Sequence, residues 1–160
     1  MQDFYTIGEM PGFIGCIDCT HIKIARPPRE VFRFRKGLFP LNIQAICGPD
    51  LRFYNIVARW QGSVHDTRIF LNSRIHDDLQ DGLLPGHLLG DSGSACRKYL
   101  LTPLETPSNV HERKYNESHI NTRNTIERAF ALLKRRFSGL GKAMRTHLET
   151  AKAVVVASAV

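Results

Sequence analysis

The chain has 160 residues, 42% hydrophobic and 23% charged, and its 22 Lys and Arg against 15 Asp and Glu give a formal net charge of +7. That length suits one domain with a substantial core, and the balance is that of a soluble globular fold. No apolar run reaches the roughly 18 residues of a membrane-spanning helix, and MQDFYTIGEMPGF lacks the basic start and continuous apolar stretch of a signal peptide. A reducing intracellular compartment is therefore expected for the four cysteines. The positive charge favours phosphate backbones as partners. It is concentrated at Arg26, Arg29, Arg33, Arg35 and Lys36, and again at Lys134, Arg135 and Arg136.

Residues 13 to 24, FIGCIDCTHIKI, read as a strand rich in Ile, Cys and Thr. Alternation puts Ile17, Cys19, His21 and Lys23 on one face and Cys16, Asp18, Thr20, Ile22 and Ile24 on the other. Pro27 and Pro28 end it. Strands follow at 41–47 and 51–60, joined through Gly48-Pro49-Asp50 as a hairpin. GSVHDTRIF carries helix-start chemistry, with Ser63 or Asp66 as cap of a helix to about residue 71. HLLG at 87–90 is a short apolar strand running into Asp91, and KYLLTP is a further candidate strand stopped by Pro103. The stretch 104–118 reads as a polar loop. A helix is expected from about Thr122 to Ser138, with Asn121 as cap, Gly139 as stop, and Ile126, Phe130, Leu133, Phe137 and Leu140 as one buried stripe. AKAVVVASAV reads as a buried helix or strand. Three antiparallel strands, a helix, a strand and a long helix make a mixed α/β fold with one sheet covered by helices.

Four acids stand in distinctive surroundings: Asp18 in GCIDCTHI, Asp66 in GSVHDTRIF, Asp91 in LLGDSGS and Glu127 in NTIERAFALLKRRF. Asp18 interrupts an apolar strand, where a carboxylate is costly unless paired, hydrogen-bonded or metal-bound. Asp91 follows an apolar strand, and open sheets bind ligands at such ends. Converging carboxylates repel, and a divalent ion with oxygen ligands such as Mg²⁺ resolves the conflict. Two ions in one pocket would serve phosphodiester cleavage. Each acid also has a plainer reading: Asp66 as a helix cap, Asp91 as a turn residue, Glu127 as the partner of Arg123 or Lys134 on a solvated face. Cys16 and Cys19 have CxxC spacing, but Cys47 and Cys96 are isolated. Buried free thiols are the reading taken over a zinc site.

Five ordered blocks, GCIDCTHIKIARP, KGLFPLNIQAIC, WQGSVHDTRIF, LLGDSG with a following TP, and YNESHINTRNTIERAFALLKRRFSGL, resemble the catalytic domain of PIF/Harbinger-type DDE transposases and the Harbinger transposase-derived nucleases. The resemblance covers about Phe13 to Leu140. It implies a ribonuclease H-like α/β fold, with three antiparallel strands and then a parallel fourth, flanked by helices. It implies catalytic roles for Asp18, Asp91 and Glu127, and a divalent cation, Mg²⁺ or Mn²⁺, on Asp18, Asp66, Asp91 and Glu127. His65, Arg68 and Lys134 are candidates for phosphate contact or for plain surface roles. Where the family often has an aromatic after GDSG, this chain has Ser94, and a common proline is Gln61 here. The expected activity is metal-dependent, two-metal hydrolysis of DNA by a single domain spanning 1–160 without the family's N-terminal DNA-binding region. The alternative is a domesticated or truncated non-catalytic module binding DNA or protein. The resemblance further implies DNA as partner, a Myb-like DNA-binding protein as helper, no membrane, and work in the nucleus with the cytoplasm as a second compartment.

Overall fold

A computed structural model describes residues 4–25 and 38–159. The basic cluster from Arg26 to Lys36 and the pair Pro27-Pro28 lie outside the described residues. In chain order the elements are α1 (Phe4–Gly8), β1 (Phe13–Ala25), β2 (Leu38–Cys47), β3 (Phe53–Gln61), α2 (Asp66–Leu71), α3 (Arg74–Gln80), β4 (His87–Leu89), β5 (Leu100–Leu101), α4 (Val110–Arg136), α5 (Ser138–Gly141) and α6 (Leu148–Ala159). The strands form one sheet in the order β3-β2-β1-β4-β5. β1, β2 and β3 pair antiparallel, while β4 joins β1 and β5 joins β4 in parallel. This is the mixed sheet expected, consistent with a ribonuclease H-like fold, and the candidate strand in KYLLTP forms its short fifth strand.

Strand alternation decides the two faces. Cys16, Ala45, Cys47 and Leu89 point to α4, where they meet Ile126, Ala129 and Phe130. Ile22, Ile24, Leu41 and Ile43 continue that layer against Leu133, Leu140 and the α6 residues Ala151 and Val155. On the opposite face Ile17, Ile46 and Leu88 are covered by Phe70 of α2 and Leu79 of α3. Each Ile, Leu, Val or Phe among them contributes roughly 1.5–3 kcal/mol of hydrophobic stabilisation when fully buried. The β1 faces thus fall as the alternation requires, and residues 151–159 take the helical alternative.

Several local expectations are corrected. The stretch 104–118 is not all loop, because α4 begins at Val110 rather than near residue 122. Its cap is Asn109, whose side chain accepts from Glu112 N at 2.9 Å, while the Glu112 carboxylate accepts from Ser108 N at 2.6 Å. This is a capping-box arrangement in which the glutamate reaches back to the residue before the cap, hidden in a polar composition that lacks a buried stripe. Asn121 is therefore inside the helix, which ends at Arg136, ahead of Gly139. α2 is capped by His65 without a side-chain hydrogen bond, so neither Ser63 nor Asp66 caps it. β3 starts at Phe53, because Leu51 and Arg52 belong to the turn, where Leu51 takes φ 67°. α1 and α3 are short helices that the sequence reading passed over. Gly8 closes α1 against α4: a Cβ there would collide with Thr122 Oγ1 and come within 2.8 Å of the Ser118 carbonyl.

Candidate active site

The parallel register of β1 and β4 pairs Cys16 with Leu89. Two residues further along each strand stand Asp18 and Asp91, so the register itself delivers two carboxylates to one edge. Asp18 is 21% exposed at its side chain. Its Oδ1 accepts from the Cys19 amide at 2.7 Å, and its Oδ2 accepts from Arg123 Nη1 at 3.0 Å. Burial nevertheless raises the Asp18 carboxyl above its ordinary range, and the charges of Asp91 and Asp66 add to the rise.

Asp91 leaves β4 through Gly90 into a turn. Its Oδ1 accepts from Ser94 Oγ at 2.9 Å, and a Cβ on Gly93 would stand 3.2 Å from its Oδ2, so the chain bends closely around the carboxylate. Asp91 is thus both a turn residue and a wall of the site. Asp66, the first residue of α2, turns its carboxylate away from its own helix: Oδ1 accepts from Asn42 Nδ2 at 2.8 Å. Asp18, Asp66 and Asp91 all line one small cavity of about 20 Å³, together with Cys19 and Gln44. Asp66 and Asp91 also face a wider cleft of about 270 Å³, bordered by His21, Asn42, Ser63 and His65.

Glu127 reaches the group indirectly. It lies on α4, 51% exposed, one turn beyond Arg123, and Arg123 Nη2 donates to it at 2.5 Å. Arg123 therefore joins Asp18 to Glu127. The structure brings three of the four acids to one cavity and ties the fourth to them through a guanidinium. Among the described residues no three His, Cys, Asp or Glu side chains stand close enough to share one ion. The donor set still fits a hard cation: it is all oxygen, anionic and partly desolvated. Arg123 answers the same charge that such an ion would answer.

The remaining candidates separate clearly. Lys134 is half-buried and donates to Thr20 Oγ1 at 2.6 Å, on the same side of α4 as Glu127, and burial lowers its pKa. His65 borders the cleft and Arg68 is exposed on α2. Cys16 and Cys19 lie on opposite faces of β1: Cys16 donates to the Thr122 carbonyl at 3.3 Å, while Cys19 Sγ accepts from Gln44 Nε2 at 3.7 Å. Burial pushes both thiols far up, and Cys47 up to about 12, so they stay protonated and the cysteines are free.

Sequence reading missed Asn42 and Gln44. The signal was available, for two amides interrupt the apolar strand LNIQAIC just as Asp18 interrupts its own.

A family model described as DDE superfamily endonuclease matches residues 17–160. The chain is 35% identical over 139 residues to the mouse protein named "Putative nuclease HARBI1" and 34% identical over 139 residues to the human protein of that name, in each case across 85% of this chain. It is 28% identical over 153 residues to the Arabidopsis thaliana "Protein ALP1-like", across 84% of this chain. The chain spans 40% of the length of the mouse and human relatives and 38% of the plant relative. No solved structure gives a significant match.

Proposed function

Because this chain belongs to the DDE superfamily endonuclease family, we propose that it is a nuclease of transposase descent that hydrolyses DNA phosphodiester bonds with divalent cations held by Asp18, Asp66, Asp91 and Glu127. The observation that carries this is the shared cavity of Asp18, Asp66 and Asp91 beyond the end of β4. Mg²⁺ or Mn²⁺, as a pair in that site, would activate water and stabilise the departing 3′-oxygen. The chain's own contribution is positional. β1 fixes Asp18 on a rigid sheet, the turn after β4 holds Asp91, α2 brings Asp66 across from the other face, and α4 carries Glu127, tied to Asp18 through Arg123. Lys134, oriented by Thr20 on the same side of α4 as Glu127, offers a cation for the phosphate backbone, and the net charge of +7 supports DNA as substrate. The same reading assigns work in the nucleus, with the cytoplasm as a second compartment, and a Myb-like DNA-binding protein that assists nuclear entry.

Plasmid cleavage in Mg²⁺ and in Mn²⁺ tests it, with Asp18→Asn and Glu127→Gln alongside. Metal-dependent nicking is expected in the wild type, and each variant should lose roughly 100-fold or more, since the lost ligand supports several kcal/mol of charge stabilisation. A folded wild type that binds neither ion in calorimetry would sink the proposal. The Arg123 bridge favours one alternative, a non-catalytic module binding DNA or protein in which the acids serve only structure. It requires that Asp18→Asn leave DNA or partner binding intact and that the wild type cleave nothing.

A further inference from the structure

Asn42 and Gln44 are two residues apart on β2, so both point to the α2 face of the sheet's interior. They are 1% and 4% exposed. Buried amides cost free energy unless their polar atoms are satisfied, and the NH2 donors of these two find acceptors on the Val64–Asp66 segment. Asn42 Nδ2 donates to the Val64 carbonyl at 3.1 Å and to Asp66 Oδ1 at 2.8 Å, and Gln44 Nε2 donates to the Asp66 carbonyl at 3.2 Å. Asn42 Oδ1 is buried with no hydrogen-bond partner among the described residues. An aliphatic residue of similar size would avoid that orphan acceptor, which makes the Nδ2 donor the feature Asn42 contributes.

We propose that Asn42, seconded by Gln44, is the positioning residue for Asp66, holding its carboxylate toward the cavity shared with Asp18 and Asp91. This rests on the reading of Asp66 as a metal ligand and deepens it. The type of donor matters. Arg123 holds Asp18 by a full positive charge and so opposes a cation there. A neutral amide fixes the Asp66 rotamer and leaves its negative charge for the ion. Ser94 does the same for Asp91 with a neutral hydroxyl. Two of the three cavity acids are thus oriented without being neutralised. The platform is an interior strand with a partner on each side, which holds a ligand more firmly than a loop would.

Calorimetric titration of Mn²⁺ into the wild type, Asn42→Leu, Asp66→Asn and the double variant tests the proposal, with thermal melting of each protein recorded beside it. Asn42→Leu should melt cooperatively and bind Mn²⁺ about 10–100-fold more weakly, the usual loss when a ligand's hydrogen-bond partner is removed. In the Asp66→Asn background the same change should add little, because the two act through one carboxylate. Wild-type affinity in Asn42→Leu overturns the proposal, as does a full loss that persists in the double variant. Unchanged affinity in Asp66→Asn removes Asp66 from the site and overturns it too, yet leaves Asp18 and Asp91 standing. The wider metal reading falls if Asp18→Asn also binds as the wild type does, or if the wild type binds no ion. Should Asn42→Leu fail to fold, the smaller Asn42→Ser carries the same comparison.

Discussion

Arg123 carries two carboxylates on one guanidinium, Asp18 at 3.0 Å and Glu127 at 2.5 Å. The two contacts are unequal. Arg123 and Asp18 are each 21% exposed at the side chain, so water screens their attraction poorly, whereas the Glu127 end is open and adds little to stability. Arg123→Met should therefore cost about 1–3 kcal/mol in urea denaturation, mostly through the part-buried Asp18 carboxylate, whose Oδ2 loses its partner while Oδ1 keeps the Cys19 amide. Because the arginine opposes the same charges that a cation would, added Mn²⁺ should raise the melting temperature of Arg123→Met more than that of the wild type. An equal rise in both would mean that Arg123 and the ion do not compete. The double role of Arg123 was half legible. Its four-residue spacing to Glu127 is a local feature of any helix, but its contact with Asp18 joins residues 105 apart in sequence.

At the scale of elements, α4 decides more than any other. It runs 27 residues, far past the isolated-helix length at which propensity alone is marginal. Its C-terminal half is held by burial of Ile126, Ala129, Phe130 and Leu133, and that half was visible as a stripe, although Phe137, expected in it, stands 39% exposed at the C-cap and Leu140 is buried from α5. Its N-terminal half is largely polar and held by the Asn109–Glu112 box and by contacts with α1 and with the segment just past β5, such as Tyr115 Oη donating to the Thr102 carbonyl at 3.0 Å. Asn109→Ala should cost about 1 kcal/mol, chiefly as fraying of the first turns. Amide hydrogen exchange checks this, with protection expected to fall around residues 110–118 and to hold around 126–133. Uniform loss along the helix would show that the box does not stabilise the end by itself. α2 teaches the complementary lesson. Sequence placed a helix there correctly, yet Asp66, which looked like its cap, is turned to the sheet instead.

For the whole molecule, folding buries one histidine that no acid compensates. His119 is 0% exposed, its Nε2 donates to the Leu101 carbonyl at 3.2 Å, and its Nδ1 has no partner among the described residues. Burial lowers its pKa, with the Arg123 charge a smaller contributor in the same direction. The sign follows from linkage. The unfolded chain takes up a proton near pH 6.5 and the folded chain does so only at lower pH, so stability is retained above about 6.5 and falls below it until the folded value is reached. Urea denaturation from pH 7.5 to 5 should show stability holding above about pH 6.5 and falling below it, with this group contributing to the fall. His119→Phe should flatten that component. A pH dependence unchanged in the variant would assign it to other groups.

By itself the sequence determined the strand alternation of β1 and β2, the hairpin at Gly48-Pro49-Asp50, the buried stripe of α4, and the four acids in their surroundings. These are local properties: a period of two or 3.6 residues reports which face meets the core, and a lone polar residue in an apolar run reports that something must satisfy it. Only the tertiary structure decided what does the satisfying. Strand register sets Asp18 beside Asp91, docking of α4 sets Arg123 on Asp18, and the crossing of α2 sets Asp66 on Asn42. Those partners are fixed by register and helix docking, which depend on the packing of the entire core and leave no periodic trace at the residues they bring together.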